Sequence, residues 1–187
     1  WFHDNSKMYN NIYFPFKGKI SLFDGNKILP LDWSGVDLHK ESQKSAKRTD
    51  SIQFRIIEKL KSVGDYKIIF DDDDANEASD IIAIKFWEGG DNRIKIDLFH
   101  CKFSSETKSG GRLKDLYEVC GQAQRSFHWR HNTLELLQHI IRRQNIRINQ
   151  GKKSRYEIGG DEEINTLLNM ITSGYCELEF NIYVVQP

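Results

Sequence analysis

The chain has 187 residues, of which 39% are hydrophobic and 12% aromatic, and its formal net charge is zero. This composition excludes a disordered chain, and no apolar run approaches the ~18 residues that a membrane-spanning helix needs. No signal-peptide pattern opens the sequence, which starts at Trp1 and stops abruptly at Pro187. We therefore expect one domain, excised from a larger protein, that does not enter a membrane.

The neutral total hides an uneven distribution of charge. Residues 108–155 contain 11 lysines and arginines and 3 acidic residues, whereas residues 156–187 contain 6 acidic residues and no basic ones. A basic middle segment favours a surface for polyanions. The alternative is a set of solvated helix faces that pair with the acidic C-terminal segment.

The three cysteines are far apart and form no CxxC motif. This pattern argues against a structural zinc site and is typical of reduced thiols in the cytoplasm. Cys101 and Cys120 lie in apolar patterns, so we expect both to be small residues of the core.

Residues 1–48 are predicted to form an N-terminal hairpin and extension. Apolar residues recur in three short segments, 12–16, 19–23 and 27–31, and Asp24-Gly25-Asn26 between the last two is a strong hairpin signal. Residues 34–48 are polar and predict a loop or a weak helix.

Residues 49–130 are predicted to hold a helix, three strands and a second helix. Thr49 or Asp50 is expected to cap the first helix, and Gly64 to end it. Its apolar stripe comprises Ile52, Ile56, Leu60 and Val63. The strands are expected at 66–70, 77–87 and 93–103, with turns at 71–74 and 89–92. The second helix, 113–130, is expected to bury Leu113, Leu116, Cys120, Ala123 and Phe127.

Residues 131–187 are predicted to add C-terminal helices and a final strand. The helices are expected at 133–147 and 161–172, with Asp161 as a cap, and the strand at 175–185. Residues 151–160 read as a basic loop. The order of these elements predicts an α/β or α+β sandwich, with a central mixed β-sheet flanked by helices.

Two neighbouring strands carry ionisable residues where an interior strand has few. The strand at 93–103 is apolar on both faces, yet His100 and Lys102 lie side by side at its end. A buried lysine is costly without a partner, and Asp80, at the head of the preceding strand, has the same difficulty. An ion pair between Asp80 and Lys102 would satisfy both. The functional alternative is phosphodiester cleavage, which needs carboxylates for a metal ion and a cation for the developing charge.

The predicted elements follow one another in a definite order. A helix and a strand come first, then a strand that starts near Asp80, a strand that ends in His100-Cys101-Lys102 and a helix with Gly121-Gln122-Ala123. This order resembles the core of the PD-(D/E)xK nucleases, the restriction-endonuclease-like fold, in its Mrr-like and RecB-like branches. The resemblance covers roughly residues 49–130. It implies that Asp80 binds metal, that Lys102 positions the attacking water and that Gln122 helps to arrange the site.

The resemblance also implies further properties. The first helix of the family often adds an acidic or amide group, a place that Glu41 or Gln53 would take. A narrower resemblance, to nuclease domains attached to helicases in bacterial defence proteins, implies a DNA endonuclease whose parent protein has a helicase or ATPase domain. RNA as the substrate and a homo-oligomeric state both remain open.

His100 departs from the family pattern, because the residue two before the lysine is an acidic one in the family. Three interpretations are open. Glu77 supplies the carboxylate, which requires residues 77–79 to turn rather than extend; or His100 itself ligates the metal or acts as a base; or the site is degenerate and the domain only binds. Carboxylates favour Mg²⁺ and imidazole favours Mn²⁺, so we expect Mg²⁺ or Mn²⁺.

The run Asp71–Asp74 is predicted to be a solvated turn, from which Asp72 or Asp73 projects into the site. Trp129 is expected to pack in the core rather than to stack on a base. Nucleic acid is expected to contact two groups of basic residues. The first consists of Lys108, Arg112, Lys114, Arg125 and Arg130, and the second of Arg142, Arg143, Arg147, Lys152, Lys153 and Arg155.

Overall fold

The computed structural model of the chain describes residues 7–9, 12–14, 27–87, 92–108, 110, 113–174 and 176–187. It divides into two compact units, Trp1–Asp32 and Trp33–Pro187. In the first unit, β1 (Lys7–Tyr9) and β2 (Ile12–Phe14) pair in an antiparallel sheet. The predicted strand at 19–23 and turn at 24–26 lie outside the described residues. The strand predicted at 27–31 is wrong, since that segment is irregular and exposes Ile28 and Leu29 instead of burying one face.

The second unit is built on a five-stranded mixed sheet, which confirms the predicted α+β class. The sheet has the order β6-β3-β4-β5-β7. Its strands are β3 (Ile68–Asp71), β4 (Ile81–Phe86), β5 (Arg93–Cys101), β6 (Tyr156–Ile158) and β7 (Glu177–Val185). Four of them form antiparallel pairs, whereas β7 runs parallel to β5. The strand β6 was not predicted and lies in the segment expected to be a loop.

Four α-helices flank the sheet. They are α1 (Ile52–Val63), α2 (Leu113–Arg125), α3 (Thr133–Asn149) and α4 (Asp161–Thr172). A 3-10 helix, Ser126–His131, continues α2, where the sequence predicted one uninterrupted helix. The N-cap of α1 is Ser51 rather than Thr49 or Asp50, because the Ser51 side chain accepts a hydrogen bond from the amide of Phe54 at 3.2 Å.

The hydrophobic core lies on the face of the sheet that α3 and α4 cover. Alternate side chains of β3, β4 and β5 point to this face and pack against Leu136, Leu137 and Ile140 of α3 and Ile164 and Leu167 of α4. Trp129 is partly buried against the same cluster, as expected. Among the residues of α1, Ile52, Ile56, Ile57 and Leu60 are buried, whereas Val63 is exposed.

The buried face of α2 differs from the predicted one. Its buried residues are Asp115, Val119 and Ala123, whereas most of the predicted stripe is exposed: Leu113, Leu116, Cys120 and Phe127. Cys101 is buried as predicted. The physical reason lies in polar contacts: Asp115 accepts a hydrogen bond from Ser105, and Ser126, which directly follows α2, bonds His100. These contacts keep one face of the helix against the sheet.

In the described part of the chain, no helix combines the length and the apolar character that crossing a bilayer requires.

Candidate metal centre

Asp80 lies at the end of the sheet where β4 begins. The antiparallel register of β4 and β5 pairs Ile81 with Phe99, so the next residue pair in that register is Asp80 and His100. The Asp80 side chain is almost fully buried. Its Oδ2 accepts a hydrogen bond from the Cys101 amide at 2.9 Å, and its Oδ1 accepts one from Gln53 Nε2 at 3.3 Å. These two donors hold the carboxyl group in one orientation.

Two further carboxyl groups converge on Asp80. Asp73, Glu77 and Asp80 each contribute one oxygen atom, and these atoms all lie within 4.8 Å of one another. Glu77 reaches the cluster because β4 starts only at Ile81, four residues later than predicted, and residues 74–77 turn back on themselves. The amide of Glu77 donates to the Asp74 carbonyl at 3.2 Å. The chain therefore turns at residues 74–77 rather than at residues 77–79, and Glu77 reaches the cluster from the end of that turn.

Burial and neighbouring charges disfavour the ionisation of two of the clustered carboxyl groups, Glu77 and Asp80. Burial, reinforced by the charge of Glu77, raises the pKa of Asp80 well above its usual value. Burial also raises the pKa of Glu77 to about 7, with the charges of Asp73 and Asp72 acting in the same direction. Three anionic oxygens crowded in a poorly solvated place are a site that a divalent cation would stabilise.

The Asp71–Asp74 run is not the solvated turn that the sequence predicted. Asp71 and Asp72 are buried, Asp73 is half-buried and only Asp74 is exposed. Asp72 accepts hydrogen bonds from His139 Nε2 at 2.8 Å, from Arg143 Nε at 2.7 Å and from the Ala78 amide at 2.7 Å. The reason for the burial is thus that α3 supplies cationic and imidazole partners for the aspartates.

Arginines also hold the backbone of this run. Arg155 donates to the carbonyls of Asp71 at 2.8 Å and Asp73 at 2.9 Å, and Arg143 donates to the carbonyl of Ala75 at 2.6 Å. These bonds fix the chain on both sides of Asp73. The position of Asp73 in the carboxylate cluster is therefore set by residues on α3 and next to β6.

His100 is buried beside Asp80, and its two ring nitrogens lie in different environments. Its Nε2 lies 2.9 Å from the hydroxyl of Ser126, whereas its Nδ1 lies 4.0 Å from Asp80 Oδ2. Nδ1 is buried, and no described residue forms a hydrogen bond with it. Burial, together with the nearby charge of Arg125, lowers the pKa of His100 to about 4, so the ring is neutral at neutral pH.

Lys102 follows β5 directly, and its amide donates to the Val185 carbonyl at 2.9 Å. Among the described residues, its ammonium pairs with Glu118 at 3.0 Å and with Glu41 at 3.9 Å. The Asp80–Lys102 ion pair considered from the sequence is therefore wrong. The sequence contains Glu118 on the next helix, four residues before Gln122, and that spacing could have indicated a shared helix face.

Both residues expected to complete the site lie next to it. Glu41 precedes α1, and its Oε2 accepts a hydrogen bond from the Phe103 amide at 2.8 Å. Burial raises the pKa of Glu41, and Lys102 opposes this shift while Asp73 adds to it. Glu41 is therefore close to both Lys102 and the carboxylate cluster. Gln53 lies on α1 and binds Asp80 directly.

Gln122 lies on α2 between Glu118 and Ser126. Its side chain is half-buried, and its Oε1 is buried without a hydrogen-bond partner among the described residues. No role was predicted for Ser126 from the sequence. A serine four residues after Gln122 was too common a signal to identify the partner of His100.

The residues expected to bind nucleic acid fall into two structural groups. The side chains of Lys114, Arg125, Arg130, Arg142, Lys152 and Lys153 are exposed. Arg143, Arg147 and Arg155 instead form ion pairs with aspartates of the Asp71–Asp74 run. Arg147 and Arg155 are buried. Arg112 lies outside the described residues.

Comparison with known proteins identifies no relative: no family model, no curated protein sequence and no solved structure matches this chain.

Proposed function

We propose that this domain is a metal-dependent nuclease that hydrolyses phosphodiester bonds in DNA. The observation that carries the proposal is the convergence of Asp73, Glu77 and Asp80, with oxygens within 4.8 Å of one another, at the end of a sheet where Lys102 also lies. Carboxylate oxygens are the ligands that Mg²⁺ and Mn²⁺ prefer. A divalent ion bound there would polarise the phosphate and lower the pKa of a water molecule.

Residues of the chain would then supply the other functions that the reaction needs. Asp80, oriented by Gln53 and by the Cys101 amide, presents a fixed carboxylate. Lys102 is held at the rim by Glu41 and Glu118, where an ammonium group can steady the negative charge that develops on phosphate. Glu41 links this cation to the carboxylate cluster, because its carboxyl group interacts with both Lys102 and Asp73.

The resemblance to the PD-(D/E)xK nucleases supports the same reaction. In such a nuclease an acidic residue opens one core strand, a lysine ends the next and a glutamine lies on the following helix, as Asp80, Lys102 and Gln122 do here. DNA as the substrate, and a bacterial defence protein as the parent of the domain, are proposed on this resemblance. The exposed cations Lys114, Arg125 and Arg130, on α2 and the 3-10 helix, support a polyanionic substrate.

Cleavage of plasmid and single-stranded DNA with Mg²⁺ or Mn²⁺ tests the proposal. We expect metal-dependent cutting by the wild type, and a loss of about 100-fold or more in Asp80→Asn and in Lys102→Met. Lys95→Met is the matched control for Lys102→Met, because Lys95 forms an ion pair with Glu179 elsewhere on the sheet. Equal cutting by all four proteins would mean that a contaminant cleaves the DNA and would refute the proposal.

A second candidate is a module of the same fold that binds nucleic acid without cutting it. Two observations favour it: a histidine stands at position 100, where the resemblance expects a carboxylate, and Lys102 is already paired with Glu41 and Glu118. This candidate predicts salt-sensitive DNA binding in the presence of a chelator and no cleavage with any divalent metal. The cleavage assay therefore separates the two functions.

A further inference from the structure

The unpartnered nitrogen of His100 distinguishes this cluster from a plain group of acidic residues. The His100 side chain is 2% exposed, and its Nδ1 lies 4.0 Å from Asp80 Oδ2 without a hydrogen-bond partner among the described residues. A buried acceptor without a partner costs free energy and therefore needs an explanation. Asp80 belongs to the carboxylate cluster, so this nitrogen lies next to the cluster, although His100 is not one of the three groups whose ligand atoms lie within 4.8 Å of one another.

The hydrogen bonds behind His100 determine which of its nitrogens carries the proton. The hydroxyl of Ser126 lies 2.5 Å from the Ala78 carbonyl and 3.4 Å from the Gln122 carbonyl, and both of these oxygens can only accept. The single proton of Ser126 is therefore used toward a carbonyl. The contact at 2.9 Å must then be a donation from His100 Nε2–H to the Ser126 oxygen. Nδ1 is left with a free lone pair directed at Asp80.

The separation of the donors agrees with a shared ion. Two ligands bound to one first-row metal ion at about 2.1 Å each can lie up to about 4.2 Å apart, and Nδ1 and Asp80 Oδ2 are 4.0 Å apart. A metal-binding histidine usually donates its other N–H to a neighbouring oxygen, which fixes the tautomer and the ring orientation. Ser126 and the Ala78 carbonyl form such a relay here.

We propose that His100 Nδ1 is a metal ligand together with Asp80, and that Ser126 is the positioning residue that fixes its tautomer. The inference rests on the proposed function only for the location of the metal site. An imidazole nitrogen in the ligand set favours Mn²⁺ and later first-row metals over Mg²⁺, which prefers oxygen and keeps its water. The centre therefore selects a transition metal.

Pulsed electron paramagnetic resonance of the Mn²⁺-loaded protein tests the ligand directly. Protein labelled with ¹⁵N-histidine should show a nitrogen coupling to Mn²⁺, and this coupling should disappear in His100→Asn. The matched control is His131→Asn, since His131 is exposed on the 3-10 helix. The wild type alone can refute the proposal even if a variant folds poorly, because the absence of any nitrogen coupling excludes a histidine ligand. No bound Mn²⁺, no nitrogen coupling, or a coupling that persists in His100→Asn would overturn the proposal.

Calorimetric titration with MnCl₂ and MgCl₂ adds the selectivity and tests Ser126. We expect Ser126→Ala to weaken Mn²⁺ binding by about 10- to 100-fold and to leave Mg²⁺ binding nearly unchanged. A purely structural role of Ser126 would weaken both metals alike and would overturn its assignment. A nitrogen coupling without DNA cleavage would refute the proposed nuclease but not this ligand, whereas Mg²⁺-dependent cleavage without any coupling would refute the ligand alone.

Discussion

At the scale of single residues, buried ionisable groups make the stability of the metal-free protein depend on pH. Burial raises the pKa of Glu77 to about 7 and that of Asp71 to about 6. The folded state then holds more protons than the unfolded state between pH ~4 and these values, so stability falls as the pH rises through that range. His100 acts in the opposite direction, because burial lowers its pKa to about 4 and folding therefore disfavours its protonated form.

Glu77→Gln should stabilise the metal-free protein at pH 8 and leave it nearly unchanged at pH 5. At pH 8 the wild-type carboxylate is ionised against its environment, whereas at pH 5 it is protonated and resembles the amide. Because the side chain is only half-buried, solvent screening reduces the expected gain to about 1 kcal/mol. Urea unfolding with a chelator measures it, with Glu135→Gln on the exposed face of α3 as the control. An equal effect of Glu77→Gln at both pH values would contradict the reasoning.

Asp72 and Arg143 should be strongly coupled, because Asp72 is fully buried and Arg143 binds both its carboxylate and its carbonyl. Removing either partner breaks a buried ion pair, so Asp72→Ala and Arg143→Ala should each cost about 3 kcal/mol. After the loss of Arg143, the Asp72 carboxylate keeps His139 and the Ala78 amide as partners. The double variant should cost about 1–3 kcal/mol less than the sum of the two single substitutions. Urea unfolding of the four proteins gives this coupling energy.

The pair of Lys95 and Glu179, 2.9 Å apart with side chains 27% and 61% exposed, is the control. Its coupling energy should stay below about 1 kcal/mol, as is usual for an ion pair in contact with solvent. If the Asp72–Arg143 pair proved no more strongly coupled than this one, the aspartate run would not depend on α3 for its position. Asp73 would then lack the support that we attribute to it.

At the scale of elements, α2 is the helix whose orientation matters most to the site, since it carries Glu118, Gln122 and, directly after its end, Ser126. Its buried face contains Val119 and Ala123, whereas Leu113 and Leu116 are 71% and 40% exposed. Apolar spacing predicted the burial of Ala123 correctly, but it also predicted burial of the two leucines, which is wrong. The face of α2 that lies against the sheet instead contains the buried Asp115, and the ion pair of Glu118 with Lys102 lies at the partly exposed side of the helix.

Alanine substitutions distinguish the two orientations of α2. Val119→Ala should lower the free energy of unfolding by about 2 kcal/mol, because it removes buried methyl groups and leaves a cavity. Leu113→Ala should cost less than about 0.5 kcal/mol, as is usual for an exposed position. Urea unfolding at a fixed pH measures both changes. A larger destabilisation in Leu113→Ala than in Val119→Ala would restore the orientation predicted from the sequence.

Elements with strong local signals were predictable from the sequence. The bounds of α4 agree with the prediction, because its acidic first turn and its apolar repeat both lie within the helix. Its N-cap, however, is Gly160 rather than Asp161, whose carboxylate accepts a hydrogen bond from the Tyr156 hydroxyl instead. The short strand β6 was not predictable, because its position depends on pairing with β3, about 90 residues earlier in the chain. The start of β4 was predicted too early, since alternation alone does not reveal that residues before Asp80 turn.

The candidate site, like the fold, was only partly predictable from the sequence. Asp80, His100 and Lys102 lie at strand ends, as the alternation of side chains predicted. The convergence of Asp73 and Glu77 was only an open interpretation, because it depends on left-handed backbone at Asn76 and on arginines about 70 residues away. Such distant partners leave no local pattern. The pairing of Lys102 with Glu118 was also missed, although Glu118 lies four residues before Gln122 on the same helix.

At the scale of the whole molecule, the excess of positive charge in residues 108–155 is partly used inside the fold. Arg143, Arg147 and Arg155 form ion pairs with the aspartate run. Glu157 and Glu179 of the acidic C-terminal segment form ion pairs with Lys47, Lys61 and Lys95. These lysines lie outside residues 108–155, so these ion pairs do not neutralise the remaining positive charge of that segment. The exposed cations on α2 and the 3-10 helix therefore remain available to a polyanion, as do Arg142, Lys152 and Lys153.

The salt dependence of DNA binding should identify these cations. With a chelator present, the logarithm of the binding constant should fall linearly with the logarithm of salt concentration. Neutralising Lys114, Arg125 and Arg130 together to Gln should reduce the slope by about 1 for each phosphate that the variant no longer neutralises. Fluorescence anisotropy of a labelled duplex gives the slope. The matched control neutralises Lys44, Lys59 and Lys67, which are exposed and lie on or near α1. If both triple variants changed the slope equally, binding would follow net charge alone, and the α2 side of the molecule would have no special role.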